Sequence, residues 1–192
     1  MDDVIASIIW RRIDTPGHDA CRFGKSDSGW RIAGDAVFVH EGVPAHLTYF
    51  VRCDLGWRTL KGQVHGWLGL RSVDFSVTRT SDGVWAINGA GVSELGDCID
   101  LDFGFTPATN LIQIRRLALA QGQVMDTSAS WLDVSLGTLK VLNQRYERRS
   151  ESTYWYEAPR FNYSAMLEVE PTGFIQRYPG LWEAEVHQSR KT

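Results

Sequence analysis

Alternation of apolar and polar residues is the feature that most constrains this chain. Leu47, Tyr49, Val51 and Cys53 are set against Thr48, Phe50, Arg52 and Asp54, and Val73, Phe75 and Val77 against Asp74, Ser76 and Thr78. Side chains two apart share one face of a strand, so the pattern turns one face to a core and the other to water. The alternation returns at Ile99, Leu101 and Phe103, at Leu139 and Val141, and from Phe161 through Tyr163, Ala165 and Leu167 to Val169. Ser81-Asp82-Gly83 and Pro171-Thr172-Gly173 interrupt it. Glycine there supplies a positive φ and proline fixes its own, which is turn chemistry. Antiparallel strands following one another along the chain are expected.

One segment departs from this period. After Pro107, Thr109 or Asn110 can cap a helix of about 109–121 that carries Leu111, Ile114 and Leu117 and stops at Gly122. A lone helix among many antiparallel strands covers the apolar face of a curved sheet. The expected fold class is therefore mostly β, a roll of antiparallel strands with one substantial helix inside or across it. At 192 residues and 43% apolar content the chain suffices for one buried core. With no repeat and no linker, 1–192 is expected to be a single domain, the polar tail from His187, and 188–192 in particular, fraying.

Composition removes several function classes. A formal charge of −3 and a pI near 5.9 give no long-range positive field to gather nucleic acid. No stretch approaches the roughly 18 apolar residues of a membrane span. The start Met1-Asp2-Asp3 lacks a basic leader, so a cytoplasmic location is expected, with Cys21, Cys53 and Cys98 as buried, reduced thiols. His18, His40, His46, His65 and His187 show no helical two-ligand spacing, and no metal or cofactor is expected. Neither a Gly-x-Ser-x-Gly elbow nor a Walker-type loop is present.

The densest acidic cluster is Asp97, Asp100 and Asp102. On a strand over 98–103, Asp100 and Asp102 share a face, where two carboxylates can act as acid and base or contact a ligand. The helix that follows carries Arg115-Arg116, whose forks would instead neutralise those carboxylates as structural ion pairs. A second polar stretch, Asn143 to Arg149, puts Gln144, Tyr146 and Arg148 on one face opposite Arg145. It suits either a sugar or phosphate group, or a charged edge strand that discourages aggregation. Eight tryptophans exceed what such a core normally holds, so some are expected to line a cavity, each combining a broad apolar face with one N–H donor. Tyr154-Trp155-Tyr156 puts aromatics on both faces of one strand, a candidate pocket wall or partner surface.

Gly96-Asp97-Cys98-Ile99-Asp100-Leu101-Asp102, then Thr106-Pro107-Ala108-Thr109-Asn110, then Ile114-Arg115-Arg116-Leu117, form an ordered set of motifs. It continues through Gln144-Arg145-Tyr146 and Gly173-Phe174-Ile175 to Tyr178-Pro179-Gly180-Leu181-Trp182. This succession resembles the glycolipid-binding family, first defined as a family of unknown function, over nearly the whole chain. The N-terminal half matches more loosely, and Ala108 and Gln113 stand where Phe and Pro are commoner. The resemblance implies a spiral β-roll akin to bacterial carriers that shuttle lipoproteins between membranes. It also implies an amphiphilic small molecule, a glycolipid by the family's name, as partner. The candidate ligand-binding residues are Asp100, Asp102, Asn110, Arg115, Arg116, Gln144, Arg145, Tyr146 and Tyr178, forming an Arg/Asp polar end to an aromatic-lined cavity. Two alternatives stand beside binding. One is hydrolysis of a sugar or ester by Asp100 or Asp102. The other is a protein-interaction module that displays Tyr154, Trp155 and Tyr156.

Overall fold

The structure, a computed structural model, describes residues 3–190. Its strands are β1 (Asp3–Arg12), β2 (Gly17–Ser26), β3 (Gly29–His40), β4 (Val43–Cys53), β5 (Thr59–Leu68), β6 (Arg71–Arg79), β7 (Trp85–Ile87), β8 (Ala90–Val92) and β9 (Asp100–Asp102). After the helix α1 (Asn110–Leu117) come β10 (Val124–Asp133), β11 (Thr138–Arg148), β12 (Thr153–Ala158), β13 (Tyr163–Val169), β14 (Ile175–Tyr178) and β15 (Trp182–Ser189). All fifteen join one open sheet, in the order β8 to β1 and then β15 to β9. Neighbours in sequence are thus neighbours in the sheet, except β8 and β9, which are its two edges, and the first and last strands pair with each other at its centre, Arg12 opposite Trp182.

The alternation is realised as expected. In β4, Ala45, Leu47, Tyr49, Val51 and Cys53 are buried while Thr48, Phe50 and Arg52 face outward. The exception to the antiparallel order is β9, which runs parallel to β10 with Asp100 opposite Ala129 and Asp102 opposite Trp131. Parallel neighbours need a crossover connection, usually a helix. That is where α1 lies.

The sheet coils until its β9 edge tucks against the inner face of β5. Thr59 N donates to Ile99 O at 3.3 Å, and Leu101 N to Thr59 Oγ1 at 3.0 Å. Gly62 permits this approach, since a Cβ there would lie 2.2 Å from Leu101. The result is a spiral β-roll, mostly β, with α1 inside it and Leu111 and Ile112 fully buried.

The helix is shorter than the expected 109–121. A 3-10 turn over Pro107–Thr109 leads into it, capped by Thr106, whose Oγ1 accepts from Ala108 N at 3.0 Å. Neither expected cap serves: Thr109 Oγ1 accepts from Phe103 N, and the Asn110 amide reaches across to Tyr146. The helix stops at Leu117 because Ala118 adopts the left-handed conformation, φ 44°, its N–H bonded to Ile114 O. The expected frayed tail is also corrected. His187 to Ser189 belong to β15, paired with Ile8, Ser7 and Ala6, and Arg190 N donates to Ile5 O. Residues 191–192 of that tail lie outside the described residues. Backbone pairing to a neighbouring strand holds a polar segment that composition alone reads as loose.

Since consecutive strands reverse direction, alternate turns collect at the same end of the roll. Residues 13–16, 41–42, 69–70, 134–137, 159–162 and 179–181 share one end. No helix among the described residues is long and apolar enough to cross a membrane.

Candidate functional site

At that end a cavity of about 700 Å³ opens between the sheet and the segment joining β9 to α1. Buried lining residues, among them Asp102, Phe105, Thr106, Asn110, Tyr156 and Tyr178, make its floor. Partly exposed ones, such as Trp131, Leu136, Phe161 and Leu181, make its rim. The walls are aromatic: Phe103 stacks on Phe105 at 5.6 Å, Trp131 meets Phe161 edge-on at 5.4 Å, and Tyr178 meets Tyr156 and Tyr163 at 5.7 and 5.3 Å. Trp182 closes one side beneath the Arg12 guanidinium. Of the tryptophans, Trp131 and Trp182 line this cavity, whereas Trp10 and Trp85 are buried in the core.

Beneath the floor runs a buried polar relay. Asn110 Nδ2 donates to Tyr146 OH at 2.8 Å, and Tyr146 OH donates to Gln113 Oε1 at 3.3 Å. Gln113 Nε2 donates to Gln144 Oε1. Gln144 Nε2 is shared between Tyr156 OH at 2.8 Å and Asp102 Oδ2 at 3.2 Å. Inside a core each of these groups must find a partner, and a continuous chain of donors and acceptors fixes every side chain's orientation. Gln113, one of the positions that departs from the motif pattern, joins the helix to β11 twice, through Gln144 and Tyr146.

Asp102 ends the relay and faces the cavity. Its second oxygen accepts from Gly104 N at 2.7 Å. Desolvation pushes its carboxyl up to about 6, against the lowering effect of the Gly104 and Gln144 hydrogen bonds, with the Asp100 charge raising it further. Asp100 behaves differently. It is fully buried and receives both Nε and Nη2 of Arg116, at 2.7 and 2.6 Å, while Arg116 Nη2 also reaches Thr127 Oγ1 at 3.1 Å. Burial raises the Asp100 carboxyl and the guanidinium opposes that rise.

The nine sequence-derived candidates are thus distributed over several places. Asp102, Asn110 and Tyr178 line the cavity, and Gln144 and Tyr146 stand behind its floor. Arg116, Gln144 and Arg145 border a separate cleft of about 520 Å³ with Asp97, Asp126 and Glu157. Arg145 pairs there with exposed Asp126 at 3.4 Å. Arg115 points elsewhere, holding the Pro171-Thr172 turn through its carbonyls at 3.1 and 2.8 Å. Tyr154 and Tyr156 are both buried, and half-buried Trp155 donates to Glu157 Oε1 at 2.7 Å, so the three aromatics form no common outer surface.

Sequence reasoning missed Asp19. It is fully buried on β2 and accepts from Thr106 Oγ1 and from Tyr49 OH, the latter at 2.9 Å. Desolvation pushes its carboxyl up to about 7, with Thr106 and Tyr49 lowering it and Asp35 raising it. The signal was available: Asp19 alternates in phase with Cys21 and Phe23, the buried face of its strand.

Gly104 carries the turn that aims Asp102. At φ 55°, a Cβ there would lie 2.3 Å from Trp131 Nε1, an atom buried without a hydrogen-bond partner. Gly104→Ala is expected to cost about 1–3 kcal/mol of stability and to displace Trp131 from the cavity wall. Thermal unfolding and tryptophan emission report the two effects. Unchanged values in both would show that the turn has slack.

A family model described as "Putative glycolipid-binding" matches residues 7–184. The chain belongs to this family. The crystal structure of a DUF1089 family protein from Pseudomonas aeruginosa has the same fold, with a TM-score of 0.76 and 25% identity over 86% of this chain and 91% of that one. No curated protein matches. The residues matched by the family model, 7–184, include the cavity lining and the relay.

Proposed function

We propose that this chain is a binding protein for an amphiphile, and that a glycolipid is the class that suits its cavity best. The observation that carries this is the division of one cavity into a polar floor and aromatic walls. Asp102, Asn110, Tyr156 and Tyr178 offer a carboxyl, an amide and two phenols to hydroxyl groups, while Phe103, Phe105, Trp131 and Trp182 offer flat apolar faces to a ring or a chain. The volume of about 700 Å³ suits one small ligand rather than a macromolecule. Each CH₂ buried there contributes about 0.8 kcal/mol. In this reading the Arg116–Asp100 pair stiffens the floor from behind.

Hydrolysis is less well supported. Retaining and inverting glycosidases both need two carboxyl groups flanking one bond, and of the Asp100–Asp102 pair only Asp102 lines the cavity. Native mass spectrometry and organic extraction of freshly purified protein are expected to release a bound amphiphile. Leu142→Trp, which fills the cavity from its buried wall, is expected to weaken binding of an alkyl glucoside by roughly tenfold or more without loss of strand content. Lipid-free protein with no affinity for alkyl glycosides would sink the proposal.

A further inference from the structure

Resting on that reading, we propose that the end of the roll around the cavity mouth docks on a lipid bilayer. Ile13, Val43, Leu70, Leu136 and Phe161 are exposed apolar side chains on or beside five different turns at this end, Leu70 being wholly in solvent. A single exposed Leu or Val carries no message. Hydrogen bonds tie their turns to one another, the Phe161 turn through Tyr163 OH, which donates to Pro179 O at 2.5 Å. Ile13 N donates to Leu181 O at 2.9 Å, Val39 N to Pro16 O at 2.9 Å and Gly69 N to Pro44 O at 2.8 Å. Arg71 Nη2 donates to Val134 O at 3.1 Å, and His40 Nε2 lies 2.7 Å from Ser135 Oγ. The group borders the opening, since Leu136 and Phe161 belong both to it and to the cavity lining.

Two observations choose a bilayer over a protein partner. The first is charge. Around the mouth Arg12, Arg71 and Arg160 balance Asp14, Glu41 and Asp133. The connections at the opposite end and the strand ends beside them carry Asp27, Asp54, Asp82, Glu94, Asp97, Glu151 and Glu170 against Arg58, Arg79, Arg148 and Arg149, with Leu55 and Val84 exposed among them and Val124 and Met125 beside them. A phospholipid surface with negative potential repels that end and accepts the balanced one. The second is shape. Separate tips around an opening form no continuous core of the kind a stable protein interface has, whereas each can enter the headgroup layer on its own. A mouth pressed to a bilayer also spares an acyl chain the cost of crossing water, about 0.8 kcal/mol per CH₂.

The test is flotation with vesicles of phosphatidylcholine mixed with phosphatidylglycerol. Wild type is expected to float with the vesicles. Ile13→Asp with Leu70→Asp is expected to reduce the floated fraction's partition coefficient by roughly tenfold or more, and Leu55→Asp with Val84→Asp, at the other end, to leave it unchanged. Leu70→Asp alone, at a fully solvated position, keeps the test available if the double variant misfolds. Wild type that ignores the vesicles, equal losses from both ends, or self-association through Ile13 and Leu70 in sedimentation overturns the proposal. Alkyl glucoside binding in vesicle-free buffer, measured on the same samples, separates the two ideas. Its absence beside intact flotation rejects the cavity reading alone.

Discussion

Arg116→Met is expected to lower the free energy of unfolding by about 3–5 kcal/mol, the range found when one member of a buried ion pair is removed. Asp100 has no exposed surface and takes both hydrogen bonds of one guanidinium fork. Deleting the fork leaves a carboxylate in the core with no hydrogen-bonded counter-charge and only the charge of Arg79 to oppose burial, which already raises that carboxyl with Arg116 in place. The loss should therefore shrink at low pH, where Asp100 takes up a proton. Asp100→Leu combined with Arg116→Met is expected to recover most of it, because well-packed apolar replacements of a buried pair are often neutral or better. Chemical denaturation of the two single variants and the double variant measures this directly. If the single variant unfolds like the wild type, the pair is no strut. If the double variant is stable but has lost alkyl glucoside binding, the pair belongs to the ligand site itself.

The second large effect is on the pH dependence of stability. Asp19 and Asp102 are held at about 7 and about 6, both above the 3.8 of a free carboxyl. Between the unfolded and folded values the native state holds more protons than the unfolded chain, so stability falls as pH rises. The contribution is fully present below about pH 4 and is lost as pH passes through 6 and then 7. For Asp19 alone the difference amounts to something on the order of 4 kcal/mol. Asp19→Asn retains the shape, and the Tyr49 and Thr106 hydroxyls can turn to meet the amide. It should flatten the descent and leave the protein more stable than wild type above pH 7. Urea midpoints taken from pH 4 to 8 supply the curves. Parallel curves for wild type and variant would mean that Asp19 stays ionised in the fold.

The consequence for function runs through Thr106. Its hydroxyl donates to Asp19, accepts from Ala108 at the helix start and lies on the cavity floor. The same three-way contact joins β2, β4 and the segment before α1, so the carboxyl that governs stability also anchors one wall of the site.

The strands, their turns and the inward faces were legible because each depends on a local period: in β4 and β13 every second residue meets the core, whatever the rest of the chain does. The lone helix was legible for a similar reason, although its end was not. Gly122 looks like the stop, yet the chain takes its left-handed turn at Ala118 first. The motif residues Asp100, Asp102, Arg115 and Arg116 were visible as a cluster, but periodicity cannot say which acid meets which guanidinium. The parallel β9–β10 pairing and the coil of the sheet over β5 decided that. They gave Asp100 to Arg116, turned Arg115 toward Pro171 and Thr172, and left Asp102 facing the cavity. Asp19 shows the same division. Its strand face could be read from the alternation, whereas its partners Tyr49 and Thr106 come from 30 and 87 residues away. Faces are set by neighbours two residues apart. Sites are set by which distant faces the closing sheet presses together.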